Sequence, residues 1–111
     1  MSEPSEDVAV LERIYAVIQA RRDADPETSH VARLFQKGTR KIAQKVGEEA
    51  VETVIAAMSQ KRKDTIGESA DLVFHLLMLW ADSGIKPGDV WAELARREGI
   101  SGLDEKKKRI A

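Results

Sequence analysis

Apolar residues recur along this chain at spacings of three and four, and no stretch of useful length alternates apolar with polar positions. That periodicity predicts helices and no strands. Val10, Leu11, Ile14, Val17 and Ile18 carry it from a start at Ser5, with Glu6 and Asp7 in the first turn, to Arg21 and Arg22, cations suited to the negative end of a helix. Asp23 to Thr28, which contains Pro26, reads as a loop. Ser29 can cap a short helix that sets Val31, Leu34 and Phe35 on one face and closes at Gly38. Thr39 can cap a third helix running to about Ser59, and the polar, basic stretch from Ser59 to Asp64 connects it to a fourth. Thr65 and Glu68 stand at capping-box spacing for that fourth helix, which ends at Gly84. Pro87 suits the first turn of a fifth, apolar at Val90, Trp91 and Leu94 and stopping near Gly99. The expected fold is all-α and a single domain over residues 1–111. It is a bundle of four main helices plus one short helix, with its core over residues 8–98 and a mobile lysine-rich tail at 100–111.

Composition narrows what such a bundle can do. In 111 residues, 18 Lys and Arg against 19 Asp and Glu leave a net charge of -1, without the cationic excess of a generic nucleic-acid binder. With 42% hydrophobic and 33% charged residues the chain can fill one core and cover it. There is no cysteine, which excludes disulfides, zinc–thiolate sites, iron–sulfur clusters and thiol nucleophiles. Met1 to Asp7 is acidic and lacks the apolar run of a signal peptide. Leu72 to Ala81, the longest apolar stretch, is half the roughly 20 residues of a membrane span. A soluble, cytoplasmic protein with no membrane and no nucleic-acid partner is expected.

The placement of charge carries the chemistry. On the third helix, Ile42, Val46, Ala50, Val51, Val54, Ala57 and Met58 share one half of the circumference, while Glu48, Glu49 and Glu52 fall together opposite, inside an arc of about 100°. On the fourth, Glu68, Asp71, His75 and Asp82 form a stripe about 60° wide on a helix otherwise apolar nearly all round. Such a helix is buried by its neighbours, and a buried carboxylate needs a positive partner. More carboxylates on the preceding helix cannot be that partner, since like charges repel or take up protons. A divalent cation between the two helices resolves the conflict. The i, i+3 pairs offer four or five oxygen ligands with no Cys and no His at i+3, a hard-metal set that favours Mg²⁺ or Mn²⁺ over zinc. A solvated acidic surface is the competing reading. His75, one turn after Asp71, reads as support for the acids at most.

Between Arg33 and Lys45 lie five cations, Arg33, Lys37, Arg40, Lys41 and Lys45, and no acid. Cations beside a carboxylate–metal cluster are what a polyphosphate needs. No G-x-x-x-x-G-K-[ST] motif is present, so a P-loop is excluded. Leu76, Leu77, Leu79 and Trp80 on the fourth helix require apolar cover, and an isologous homodimer would supply it.

Glu48-Glu49-x-x-Glu52 followed by Glu68-x-x-Asp71 resembles the signature of the MazG-like all-α nucleotide pyrophosphohydrolases. The fuller strings are Lys37-Gly38-x-x-Lys41-Ile42-x-Gln44-Lys45-Val46-Gly47-Glu48-Glu49-Ala50-x-Glu52 and Glu68-x-Ala70-Asp71-Leu72-x-x-His75-Leu76-Leu77. They closely resemble the phosphoribosyl-ATP pyrophosphatases of histidine biosynthesis, over residues 8–98. The resemblance implies magnesium-dependent hydrolysis of phosphoribosyl-ATP to phosphoribosyl-AMP and pyrophosphate, and it points to a homodimer. It implies metal ligands at Glu49, Glu52, Glu68 and Asp71, and a water-orienting role or a further ligand at Glu48. It places Lys37, Lys41, Gln44 and Lys45 near phosphate. Gly67 departs mildly from the pattern. A house-cleaning hydrolase of nucleoside triphosphates is the alternative within enzymes, and a helical interaction module is the alternative outside them.

Overall fold

A computed structural model describes residues 7–100, and within them the chain forms five helices and no strand. They are α1 (Ala9–Arg21), α2 (His30–Lys37), α3 (Thr39–Met58), α4 (Arg62–Asp82) and α5 (Pro87–Arg97). The expected cap at Ser5 and the tail from Ser101 onward lie outside the described residues. The first turn of α1 instead receives Asp7, whose Oδ1 accepts the Ala9 N–H at 2.9 Å. Ser29 caps α2 as its sequence predicts, its Oγ accepting the Ala32 N–H at 3.1 Å. Pro87 opens α5, where its missing N–H costs nothing. Among the described residues no helix is long and apolar enough to cross a membrane.

Two expected caps prove otherwise. Gly38 alone separates α2 from α3, and its φ of +94° and ψ of 176° are open only to glycine. Thr39 is thereby the first helical residue, and its hydroxyl donates to Asp82 Oδ2 at 2.5 Å, tying the start of α3 to the end of α4. Likewise α4 begins at Arg62, three residues before Thr65, whose hydroxyl donates back to the Lys61 carbonyl at 2.8 Å. Arg62, Lys63 and Asp64 are ordinary helix residues, and the break falls earlier, where Gln60 takes φ 60° and Lys61 is extended. Capping-box spacing therefore occurs here inside a helix.

The core joins Ile18 of α1, Val31 and Leu34 of α2, Ile42 of α3, and Leu77, Met78 and Ala81 of α4. Leu77 and Met78 are almost wholly enclosed, so truncating either to alanine costs roughly 2–5 kcal/mol. Polar links lock the packing. Arg22 lies over the Phe35 ring at 4.5 Å and donates through Nη1 to the Ala81 carbonyl at 3.0 Å, tying α1 to the end of α4. Tyr15 donates its hydroxyl to the Ile85 carbonyl at 2.8 Å, and Trp80 meets Trp91 of α5 edge to face.

The orientation of α3 departs from the apolar half-circle its sequence predicts. Its buried residues are Ile42, Glu49 and Ala56, whereas Val54 is 60% exposed, Met58 79% exposed, and Val51 and Ile55 are also exposed. The helix presents its acidic edge to α4 and turns most of its apolar face outward. Leu76, Leu77, Leu79 and Trp80, the residues expected to need cover, are buried or half-buried within the chain itself.

Candidate metal centre

α3 and α4 run antiparallel, joined only by Ser59, Gln60 and Lys61, so acids one turn apart on each helix come to face one another. Glu49 of α3 and Glu68 and Asp71 of α4 each bring one carboxylate oxygen within 4.8 Å of the other two. Glu52, one turn after Glu49, lines a cavity together with Glu68, and its charge bears on the Glu68 carboxyl. Three of the four acids expected at the metal, Glu49, Glu68 and Asp71, thus come within ligand spacing of one another, and Glu52 stands outside that group.

Glu49 is only 7% exposed, and its Oε1 and that of Glu68 are closed off from solvent with no hydrogen-bond partner among the described residues. An unpartnered buried carboxylate oxygen is costly, so the arrangement is incomplete as a purely protein structure. Burial first, then the contact with Glu52, then the charges of Glu52, Glu49 and Asp71, push the Glu68 carboxyl above the ordinary glutamate range. A set of oxygen donors only, two of them orphaned, in a field that repels itself fits a hard divalent cation. The acidic cluster can hold a metal ion.

Glu48 stands outside this group. It is exposed, its Oε2 accepts from Gln44 Nε2 at 2.7 Å, and its Oε1 lies 3.6 Å from Lys45 Nζ. The Gln44 bond first, then Lys45 and Lys41, hold its carboxyl below the usual range. Lys45 Nζ is also 3.6 Å from Glu49 Oε2, so one ammonium spans both glutamates. Lys41 is half-buried one turn earlier. Lys37 is exposed at the end of α2, and its charge bears on His30.

His75 supports the cluster from one turn away. Its Nδ1 lies 2.8 Å from the Asp71 carbonyl, which can only accept, so Nδ1 carries a proton, and Nε2 is buried with no hydrogen-bond partner among the described residues. The His30 ring stands edge-on to it, centroids 6.0 Å apart. On the other side of the acids, a cavity of about 320 Å³ opens beside Glu52 and Glu68 toward the helix turn, with Lys61 and Asp64 in its wall. Sequence reasoning overlooked His30 and Lys61. His30 shares a face of α2 with Arg33 and Lys37, a signal that a helical projection of that short segment reveals.

A family model described as phosphoribosyl-ATP pyrophosphohydrolase matches residues 11–98 of this chain. A phosphoribosyl-ATP pyrophosphatase of Azospirillum brasilense is 58% identical over 109 residues, covering 98% of this chain and 98% of its own. One from Paramagnetospirillum magneticum is 57% identical over 105 residues, covering 95% and 96%. One from Rhizorhabdus wittichii is 61% identical over 99 residues, covering 89% and 93%.

Proposed function

Because the chain belongs to the phosphoribosyl-ATP pyrophosphohydrolase family, we propose that it hydrolyses phosphoribosyl-ATP to phosphoribosyl-AMP and pyrophosphate in histidine biosynthesis. The observation that carries this reading is the meeting of Glu49, Glu68 and Asp71 with two orphaned oxygens, beside a lysine shared with Glu48. Glu49, Glu52, Glu68 and Asp71 hold the metal, which is Mg²⁺, with Mn²⁺ as a substitute. Bound there, the ion supplies positive charge that polarises a phosphoryl oxygen and offsets the charge gathering on departing pyrophosphate.

The remaining work falls to the chain's own residues. Glu48 stays ionised and accepts a hydrogen bond from the attacking water. A carboxylate held below its usual range is a weak proton acceptor, so its role is to aim the water rather than to deprotonate it. Gln44 fixes the Glu48 carboxylate, and Lys45, already poised between two glutamates, can turn one donor to a phosphate oxygen. Lys41 and Lys37 extend the positive approach. Water adds its oxygen to phosphorus as the α–β anhydride bond breaks, its protons pass to the phosphate oxygens of the products and on to solvent, and pyrophosphate leaves in one piece.

The working form is a homodimer in the cytoplasm, built from one domain per chain. The exposed apolar residues of α3 support an isologous helix-on-helix contact.

The test is to offer phosphoribosyl-ATP, ATP and a panel of ordinary and damaged nucleoside triphosphates with Mg²⁺, then separate the products chromatographically. Phosphoribosyl-AMP plus pyrophosphate, with ATP a poor substrate, is the expected result. Preference for another triphosphate would move the protein to the house-cleaning class. Inactivity on all of them, with no thermal stabilisation by millimolar Mg²⁺, would leave a helical interaction module.

A further inference from the structure

The metal centre takes one anionic end of the proposed substrate, but phosphoribosyl-ATP has two: the triphosphate, and a 5-phosphate on the second ribose across the adenine ring. The second end needs cations, and it needs them away from the acids. His30, Arg33 and Lys37 fall within about 60° of one another on α2. Burial first, then His75, Arg33, Lys45 and Lys37, lower the proton affinity of His30, so Lys and Arg charge from two helices, α2 and α3, bears on this face. Among the described residues neither Arg33 nor Lys37 is paired with a carboxylate, whereas Arg96 and Arg97 of α5 are tied to Glu93 and Lys61 shares its cavity with Asp64. Arg33 donates Nε to the Pro26 carbonyl at 3.2 Å, which anchors the guanidinium at the head of the helix.

The face also lies beside the centre. His75 Nδ1 lies 2.8 Å from the backbone carbonyl of Asp71, the His75 and His30 rings are 6.0 Å apart, and His30 opens the helix that carries Arg33 and Lys37. We propose that this face of α2, through His30, Arg33 and Lys37, binds the 5-phosphate of the phosphoribosyl group and thereby distinguishes the substrate from ATP, an inference that rests on the substrate reading above. A phosphate monoester carries about −1.5 to −2 charges at neutral pH, and a guanidinium matches its oxygens in fork geometry.

The experiment measures binding of phosphoribosyl-AMP and of AMP to the magnesium-loaded protein by calorimetry, with steady-state kinetics on phosphoribosyl-ATP. In Arg33→Gln, phosphoribosyl-AMP should bind roughly tenfold more weakly and AMP within about twofold of wild type, the size expected for one charge-assisted contact. KM for phosphoribosyl-ATP should rise to match, with kcat nearly constant. Arg33→Gln also loses the bond to Pro26, so His30→Gln, at a residue whose ring makes no hydrogen bond among the described residues, is the companion variant and should act selectively in the same direction. Melting curves confirm that both fold. Equal weakening of both nucleotides, or no change in either, overturns the subsite while leaving the substrate reading intact. A wild type that fails to hydrolyse phosphoribosyl-ATP overturns the substrate reading, and the subsite with it.

Discussion

Glu68 is where the acids of the two helices press hardest on one another. Without metal, the folded protein holds a proton on Glu68 more tightly than the unfolded chain does, because burial and the carboxylates of Glu52, Glu49 and Asp71 disfavour its ionised form. The associated stability is fully present below the ordinary glutamate value of 4.5 and is lost as the pH rises through the raised one. Glu68→Gln keeps the side-chain shape and removes the charge. In chelator at pH 8 this variant should melt above wild type and lose that part of the pH dependence. In Mg²⁺ the order should reverse, since wild type gains about 2.7 kcal/mol at a metal concentration 100 times Kd. Activity should fall roughly 100-fold or more, the consequence of losing several kcal/mol of charge stabilisation. Calorimetric scans of both proteins at pH 5 and pH 8, with chelator and with Mg²⁺, check this. Identical behaviour in chelator would mean that the acids do not strain the fold.

Among the helices and their joints, Gly38 is the tightest constraint, since one residue ends α2 and begins α3. An added Cβ would meet nothing within 4 Å, so Gly38→Ala tests backbone conformation alone. It should cost about 1–3 kcal/mol and lower Tm by roughly 4–8 °C for each kcal/mol. A variant as stable as wild type would show that the joint can take another conformation. This glycine was legible in the sequence as a helix stop, as were Ser29 as a cap, Pro87 as a helix start and the five segments themselves. Those features are local, decided by side chains within a turn of the break. The start of α4 was misread because Thr65-x-x-Glu68 satisfies a capping rule that ordinary helix interiors also satisfy. The meeting of Glu49, Glu68 and Asp71 was foreseeable because carboxylates on a helix with an apolar run cannot be buried at no cost without a positive partner. The rotation of α3 was not, because helical periodicity sorts residues into faces without saying which face a neighbour covers. Val51, Val54 and Met58 look like core residues by pattern and are surface residues within one chain.

At the scale of the whole molecule, those residues supply the argument for association. Val51, Val54, Ile55 and Met58 line the outer side of α3, and Ile66 and Val73 are exposed on α4. An exposed apolar stripe such as the one on α3 marks an interaction face. A second copy is the occupant most consistent with the proposed dimer, because a two-fold axis pairs each stripe with its own image. Light scattering at micromolar concentration should give twice the 12.3 kDa of the chain. Val54→Glu, which places a charge at the centre of the stripe, should give the monomer mass with helical content retained. A wild type that scatters as 12.3 kDa would contradict the dimer directly.

The three-residue link between α3 and α4 also bears on how the protein comes to exist. Every acid of the centre lies within residues 39–82, so the carboxylates meet as soon as one helical hairpin closes, before α1 or α5 has to dock. Short loops close quickly and at little entropic expense, which puts this contact among the early events of folding. If the hairpin closes first, the mutual repulsion would be felt by a chain still partly unfolded and would oppose that pairing. A divalent cation present at that moment would remove the obstacle. By this account an ion held in the proposed centre would serve the assembly of the fold as well as the reaction, and the ionic content of the surrounding medium would become one of the determinants of how readily a newly made chain reaches its native shape.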